Sequence, residues 1–102
     1  MANISTYAIR TAAGHSFSLS LDANPSNGYQ WGLSNPLDSR YLELISSHYA
    51  PLSAPSRIGQ GGHQIFTFHP LRAGMTSIAF KYCRPWDDSD CGQFTFYVVT
   101  IT

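Results

Sequence analysis

The chain has 102 residues, 43% of them hydrophobic and only 12% charged, with six Lys and Arg balancing six Asp and Glu. This predicts a single domain over residues 1–102, with enough apolar surface for a core that needs neither a metal nor several disulfides. The balance excludes the basic surface on which nucleic-acid affinity depends and an electrostatic membrane anchor, and no run approaches the roughly 18 apolar residues of a spanning helix.

Strong helix formers are sparse, while Thr, Tyr, Phe, Val and Ile fall in short alternating runs. The opening MANISTYAIR lacks the basic and then apolar character of a signal peptide, which fits a cytosolic chain or one whose leader has been removed. Within it, ISTYAI predicts an edge strand, and Ala13-Gly14 a turn. SFSLSL places Phe17, Leu19 and Leu21 on one face and serines on the other. NPSNGYQW follows, with Asn24-Pro25 and Asn27-Gly28 as two turn signals ahead of Tyr29 and Trp31 at strand spacing. A turn at SNPLDS leads to the strand YLELISSHY, whose inner set is either Leu42 and Leu44 or Tyr41 and Ile45. After a long connection from Pro51 to Gly62, IFTFH turns Phe66 and Phe68 inward. Beyond PLRAG, SIAFKY does the same with Ile78, Phe80 and Tyr82. A turn cluster from Arg84 to Gly92 precedes QFTFYVVTI, apolar on both faces and therefore central, with either Phe96 or Tyr97 pointing inward. Six or seven such strands describe an all-β sandwich or barrel.

Three connections carry unusual chemistry, and simple hairpins and crossovers gather all three at one end of a sandwich. The first is Asn24-Pro25-Ser26-Asn27-Gly28-Tyr29, a stiff loop backed by Trp31, which belongs in the core. The second contains Gly59, Gln60, Gly61 and Gly62; it lacks the Lys-Ser/Thr and the following helix of a phosphate cradle. The third presents Trp86 behind Pro85, where no strand position buries it, and an exposed aromatic fixed by proline is suited to be a binding anchor. Arg84 is expected over the Trp86 ring or paired with Asp87 or Asp88. Cys83 and Cys91 fit no zinc pattern and no Cys-x-x-Cys motif. They flank the third loop between neighbouring strands, so a disulfide there would clamp its base and favour a secreted, periplasmic or vesicular setting over the cytoplasm.

Asn24-Pro25-Ser26-Asn27-Gly28-Tyr29-Gln30-Trp31, Gly59-Gln60-Gly61-Gly62 and Arg84-Pro85-Trp86, in this order, resemble the three motifs of the chagasin-like family of cysteine peptidase inhibitors. The likeness runs from about Gly14 to the C-terminus, with SSHYAP before the glycine loop, and departs at Asn27, where the family carries threonine. It implies an immunoglobulin-like antiparallel β-sandwich of about seven strands, monomeric when free, without enzymatic activity or cofactor. It also implies that three loops enter the cleft of papain-like, cathepsin-like cysteine peptidases: the first near the catalytic cysteine and histidine, the second along the unprimed subsites, Arg84 and Trp86 on the primed side.

The residue types suit that task. A loop entering a protease cleft has to resist the extended form of a substrate, and prior rigidity reduces the entropy lost on binding. The glycines leave backbone groups uncovered for main-chain hydrogen bonds, as in strand addition. An enzyme is the weaker reading, because His15, His48, His63 and His69 show no metal spacing and neither cysteine stands at a helix start that would activate it. A non-inhibitory immunoglobulin-like binding or adhesion module using Trp86 as its platform is the alternative on the same fold.

Overall fold

The computed structural model describes residues 3–23, 28–51 and 61–102. Its strands are β1 (Asn3–Thr11), β2 (Phe17–Ala23), β3 (Gln30–Leu33), β4 (Leu42–Pro51), β5 (Gly62–Pro70), β6 (Gly74–Arg84) and β7 (Asp87–Ile101). They form two sheets, β1-β7-β6-β3 and β2-β5-β4. The alternation read from the sequence produces this arrangement directly. Leu21 on β2, Phe66 and Phe68 on β5, Ile78 and Phe80 on β6 all meet between the sheets, with Trp31, Leu42, Tyr97, Val99 and Ile101 completing the buried cluster.

Phe80 sits at the centre of that cluster. Its ring lies 4.7 Å from Phe66 and makes edge contacts with Trp31, Phe68 and Tyr97 at 6.4, 6.3 and 5.9 Å. These are favourable aromatic geometries, each adding roughly 0.5–1.5 kcal/mol beyond burial. The ambiguity on β7 resolves to Tyr97, which shares the inner face with Thr95 and Val99.

Three expectations need correction. β1 is an edge strand, but it pairs in parallel with β7, from Asn3 opposite Gln93 to Thr11 opposite Ile101. No hairpin joins the two, and the far connection of β1 passes to the other sheet, so no turn dictates antiparallel pairing. At β4 neither proposed inner set is buried as a set: Leu42 is buried and the preceding Tyr41 packs partly against the core, while Leu44 and Ile45 are exposed. A register shift between Leu44 and Ser46 leaves Ile45 out of the ladder, and the strand beyond it is a sheet edge. Finally, the region from Arg84 to Gly92 is no broad turn. β6 runs through Arg84 and β7 begins at Asp87, so only Pro85 and Trp86 form the turn of a long hairpin.

The topology gathers the unusual connections at one end. Gly62 pairs with both Ala23, the last residue of β2, and Pro51, the last of β4. Gln30, the first residue of β3, pairs with Cys83 near the end of β6. The β2–β3, β4–β5 and β6–β7 connections therefore leave the sandwich side by side.

Candidate functional site

Trp31 anchors the first of these connections. It is 4% exposed, and its indole Nε1–H donates to the Asp22 carbonyl at 2.8 Å, joining the strand that enters the loop to the strand that leaves it. Gln64 on β5 adds a second tie. Its Oε1 accepts from the Trp31 N–H at 3.0 Å, and its Nε2 donates to the Trp31 carbonyl at 2.9 Å. One side chain thus satisfies both backbone groups of an edge-strand residue and holds β3, where the first loop lands, to β5, where the glycine loop lands.

From Trp31 a column of rings climbs toward the tip. Tyr82 stacks on Trp31 with centroids 4.8 Å apart, and Tyr29 stacks on Tyr82 at 5.4 Å. The Arg84 guanidinium covers the Tyr29 ring at 4.8 Å. Asp90 closes the assembly: it accepts the Tyr29 hydroxyl at 2.7 Å and pairs through its other oxygen with Arg84. The hydrogen bond from Tyr29, followed by the Arg84 interactions, holds the Asp90 carboxyl below its ordinary range, while the same Asp90 bond chiefly pushes the Tyr29 phenol up. Arg84 is therefore not over Trp86 or paired with Asp87 or Asp88. Cys83 pairs with Cys91 and Arg84 with Asp87, so the register shift between them leaves Asp88, Ser89 and Asp90 as extra residues on β7, and it is the Asp90 side chain that meets both Arg84 and Tyr29. Asp88 instead binds Lys81 at 3.1 Å, and Asp87 binds the Ser89 backbone and hydroxyl.

Trp86 stands at the tip of the hairpin, 75% exposed. A methyl group built on Gly28 would lie 3.5 Å from the Trp86 ring and 3.6 Å from Arg84 Nε, so the first and third loops are in contact at this point. Gly28 has φ +84°, a left-handed conformation that side-chain-bearing residues adopt at a cost. Beneath the tip, Cys83 and Cys91 form a disulfide, with Cys83 buried. Gly62, at the exit of the second loop, has no room for a side chain at all: a Cβ would lie 2.3 Å from the Ala50 carbonyl oxygen and 2.8 Å from the Pro51 Cα.

The structure thus brings Gly28, Tyr29, Arg84, Pro85 and Trp86 together at one tip, with Gly61 and Gly62 leading out of the neighbouring loop. Asn24, Pro25, Ser26, Asn27, Gly59 and Gln60 lie outside the described residues. Sequence reasoning missed Gln64 and Asp90, which do the bracing. No spacing signal pointed to Asp90, because the two-residue turn at Pro85 and Trp86 sets Arg84 opposite Asp87. Nothing local marks Gln64. Among the described residues, no three His, Cys, Asp or Glu side chains gather in a metal-binding group.

One end of the β-sandwich thus carries a braced hairpin led by an exposed tryptophan. Residues 10–100 match the family model described as chagasin family peptidase inhibitor I42, and the chain belongs to that family. Its members are inhibitors of proteases, not enzymes. Amoebiasin-2 of Entamoeba histolytica is 30% identical over 69 residues, 68% of this chain and 55% of the relative, so the chain matches about half of that protein's length. Chagasin of Trypanosoma cruzi is 25% identical over 95 residues, covering 88% of this chain and 86% of the relative. The fold is that of the cysteine protease inhibitor EhICP2 from Entamoeba histolytica, with TM-score 0.78, 23% identity and coverage of 98% and 95% of the two chains. It is also that of PbICP-C, solved in complex with falcipain-2, with TM-score 0.77, 15% identity and coverage of 99% and 91%.

Proposed function

We propose that this chain is a reversible, non-covalent inhibitor of papain-like cysteine peptidases that fills their active-site cleft with its three adjacent loops. The observation that carries the reading is the braced tip. Trp86 is 75% exposed yet mounted on a hairpin that is disulfide-linked, proline-bearing and tied at its base through Arg84 to Tyr29 and Asp90. Exposing a tryptophan forgoes the stabilisation its burial would supply, and building a rigid mount under it suits an anchor that enters a partner's pocket with little further ordering.

Family membership supplies the class of target, and the PbICP-C complex with falcipain-2, a papain-like enzyme, supports the choice within that class. On this reading Asn24, Pro25, Ser26, Asn27, Gly28 and Tyr29 approach the catalytic cysteine and histidine. Gly59, Gln60, Gly61 and Gly62 offer backbone hydrogen bonds along the unprimed side, and Arg84, Pro85 and Trp86 pack on the primed side. The Cys83–Cys91 disulfide is compatible with an oxidising compartment, and on this reading the chain acts in a secreted, periplasmic or vesicular setting.

An interface of about 1,600 Å² is sufficient for nanomolar affinity when the loops are rigid. The test is a fluorogenic dipeptide assay with active papain. Competitive, reversible loss of rate is expected at nanomolar to micromolar inhibitor, with trypsin unaffected. Full papain activity at micromolar inhibitor refutes the function, and equal inhibition of trypsin refutes the specificity.

A further inference from the structure

We infer that the Cys83–Cys91 disulfide is a redox gate on the Trp86 loop: it holds the anchor in place when oxidised and releases it, without unfolding the sandwich, when reduced. This rests on the inhibitory reading and adds regulation to it. The first observation is where the bridge lies. The β6–β7 ladder shifts register between Tyr82 and Cys83 and again between Cys83 and Arg84, so regular pairing is interrupted on both sides of Cys83. Beyond that point only Arg84 and Asp87 are paired. The disulfide therefore stands where the backbone ladder is weakest.

The second observation is how little else secures the tip. Residues 85–89 are all exposed and bury no core surface. Their own ties are the exposed Lys81–Asp88 pair and Asp87–Ser89 turn, while the part-buried cluster of Arg84 and Tyr29 on Asp90 lies at the base of the segment. Exposed pairs such as Lys81–Asp88 stabilise weakly, and a segment such as residues 85–89 with few buried contacts opens locally at low cost. Below Cys83 on β6, Ile78 and Phe80 are fully buried and belong to the sandwich, so they remain packed when the tip frays.

The third observation is access. Cys83 is 4% exposed, whereas Cys91 is only partly buried. A thiolate of an external dithiol reductant attacks the Cys91 sulfur and expels Cys83 as a thiolate, which takes up a proton. The second thiol of the reductant then displaces Cys91 from the mixed disulfide. Two protein thiols and one reductant disulfide result, a balanced two-electron exchange. With no further cysteine in the chain, the bridge cannot reshuffle. Apparent affinity falls with the fraction of molecules whose anchor is in place, so a tip that is open nine-tenths of the time weakens inhibition about tenfold.

The experiment compares the wild-type chain with the Cys83→Ser/Cys91→Ser variant. Papain is activated and freed of reductant before mixing, and hydrogen exchange is measured on both proteins. Faster exchange confined to residues 84–90, with about tenfold weaker inhibition by the variant, is the expected result. Equal inhibition by the two proteins overturns the gate while leaving the inhibitory function intact; absence of inhibition by the wild type overturns both. In case the variant folds poorly, iodide quenching of wild-type fluorescence across a dithiol redox series reads the same event. Trp31 is buried, so the quenchable signal is that of Trp86. A quenching change coincident with bridge reduction supports the gate, and no change on full reduction overturns it.

Discussion

Replacing Trp31 by alanine separates the roles of the two tryptophans more sharply than any other substitution. Trp31 is 4% exposed, stacks on Tyr82, meets the edge of Phe80 and donates its indole N–H to the Asp22 carbonyl. Truncating an aromatic of this size in a packed core costs about 3–5 kcal/mol. The lost stacking, and a carbonyl left without its donor, place Trp31→Ala at the upper end of that range. For a domain near 100 residues this corresponds to a fall in melting temperature of about 15–30 °C. Trp86, 75% exposed, is expected to leave the melting temperature within a few degrees when changed to alanine. It is expected instead to weaken papain inhibition by about 2 kcal/mol or more, roughly thirtyfold. Thermal denaturation and inhibition constants of both variants make the check. If Trp31→Ala melts with the wild type, or Trp86→Ala lowers stability and keeps full inhibition, the division into core and anchor is refuted.

Gln64→Ala removes both partners of the Trp31 backbone and is expected to cost about 1–3 kcal/mol, read as a shift in urea midpoint; an unchanged midpoint contradicts the cross-sheet tie. Gly62→Ala drives a Cβ into the Ala50 and Pro51 backbone and is expected to destabilise by about 1–3 kcal/mol in the same experiment. Tyr29→Phe deletes the hydrogen bond that most depresses the Asp90 carboxyl, so carboxyl NMR titration is expected to show its pKa rising toward the ordinary carboxylate value. Because that pKa is lowered in the folded state, its contribution to stability is present above the unfolded carboxylate pKa and is lost as pH falls through the folded value. An unmoved titration in Tyr29→Phe contradicts the bracing geometry.

Strand positions and inward faces were readable on β2, β5 and β6 because alternation has a period of two and each strand has one buried side. β7 was recognisable but its facing was not, since Phe94, Phe96 and Val98 make its outer side apolar as well. β4 failed for the opposite reason. Beyond Leu42 it is an exposed edge with a bulge, and its apolar residues report nothing about the core. The parallel pairing of β1 depends on contacts some ninety residues apart, which local pattern does not encode. Within the site, the motifs identified which residues to watch, and Trp31 and Trp86 took the positions their surroundings implied. The bracing by Gln64 and Asp90 was invisible because each joins elements distant in sequence. Arg84 was matched to the wrong acid because three aspartates follow it and the ladder itself sets it opposite Asp87; only the side-chain geometry across the register shift selects Asp90.

The central claim is a cleft blocked by shape and hydrogen bonds, with no covalent step, and calorimetry on a catalytically dead peptidase tests it most directly. Ser26, Asn27 and Gly28 offer no electrophile beyond ordinary peptide carbonyls, and the proposed function requires that such a carbonyl be held out of line with the attacking sulfur. Papain with its catalytic cysteine changed to alanine is therefore expected to bind this chain within about tenfold of the active enzyme, a difference of no more than roughly 1.4 kcal/mol. A loss of several kcal/mol with the alanine enzyme would contradict it.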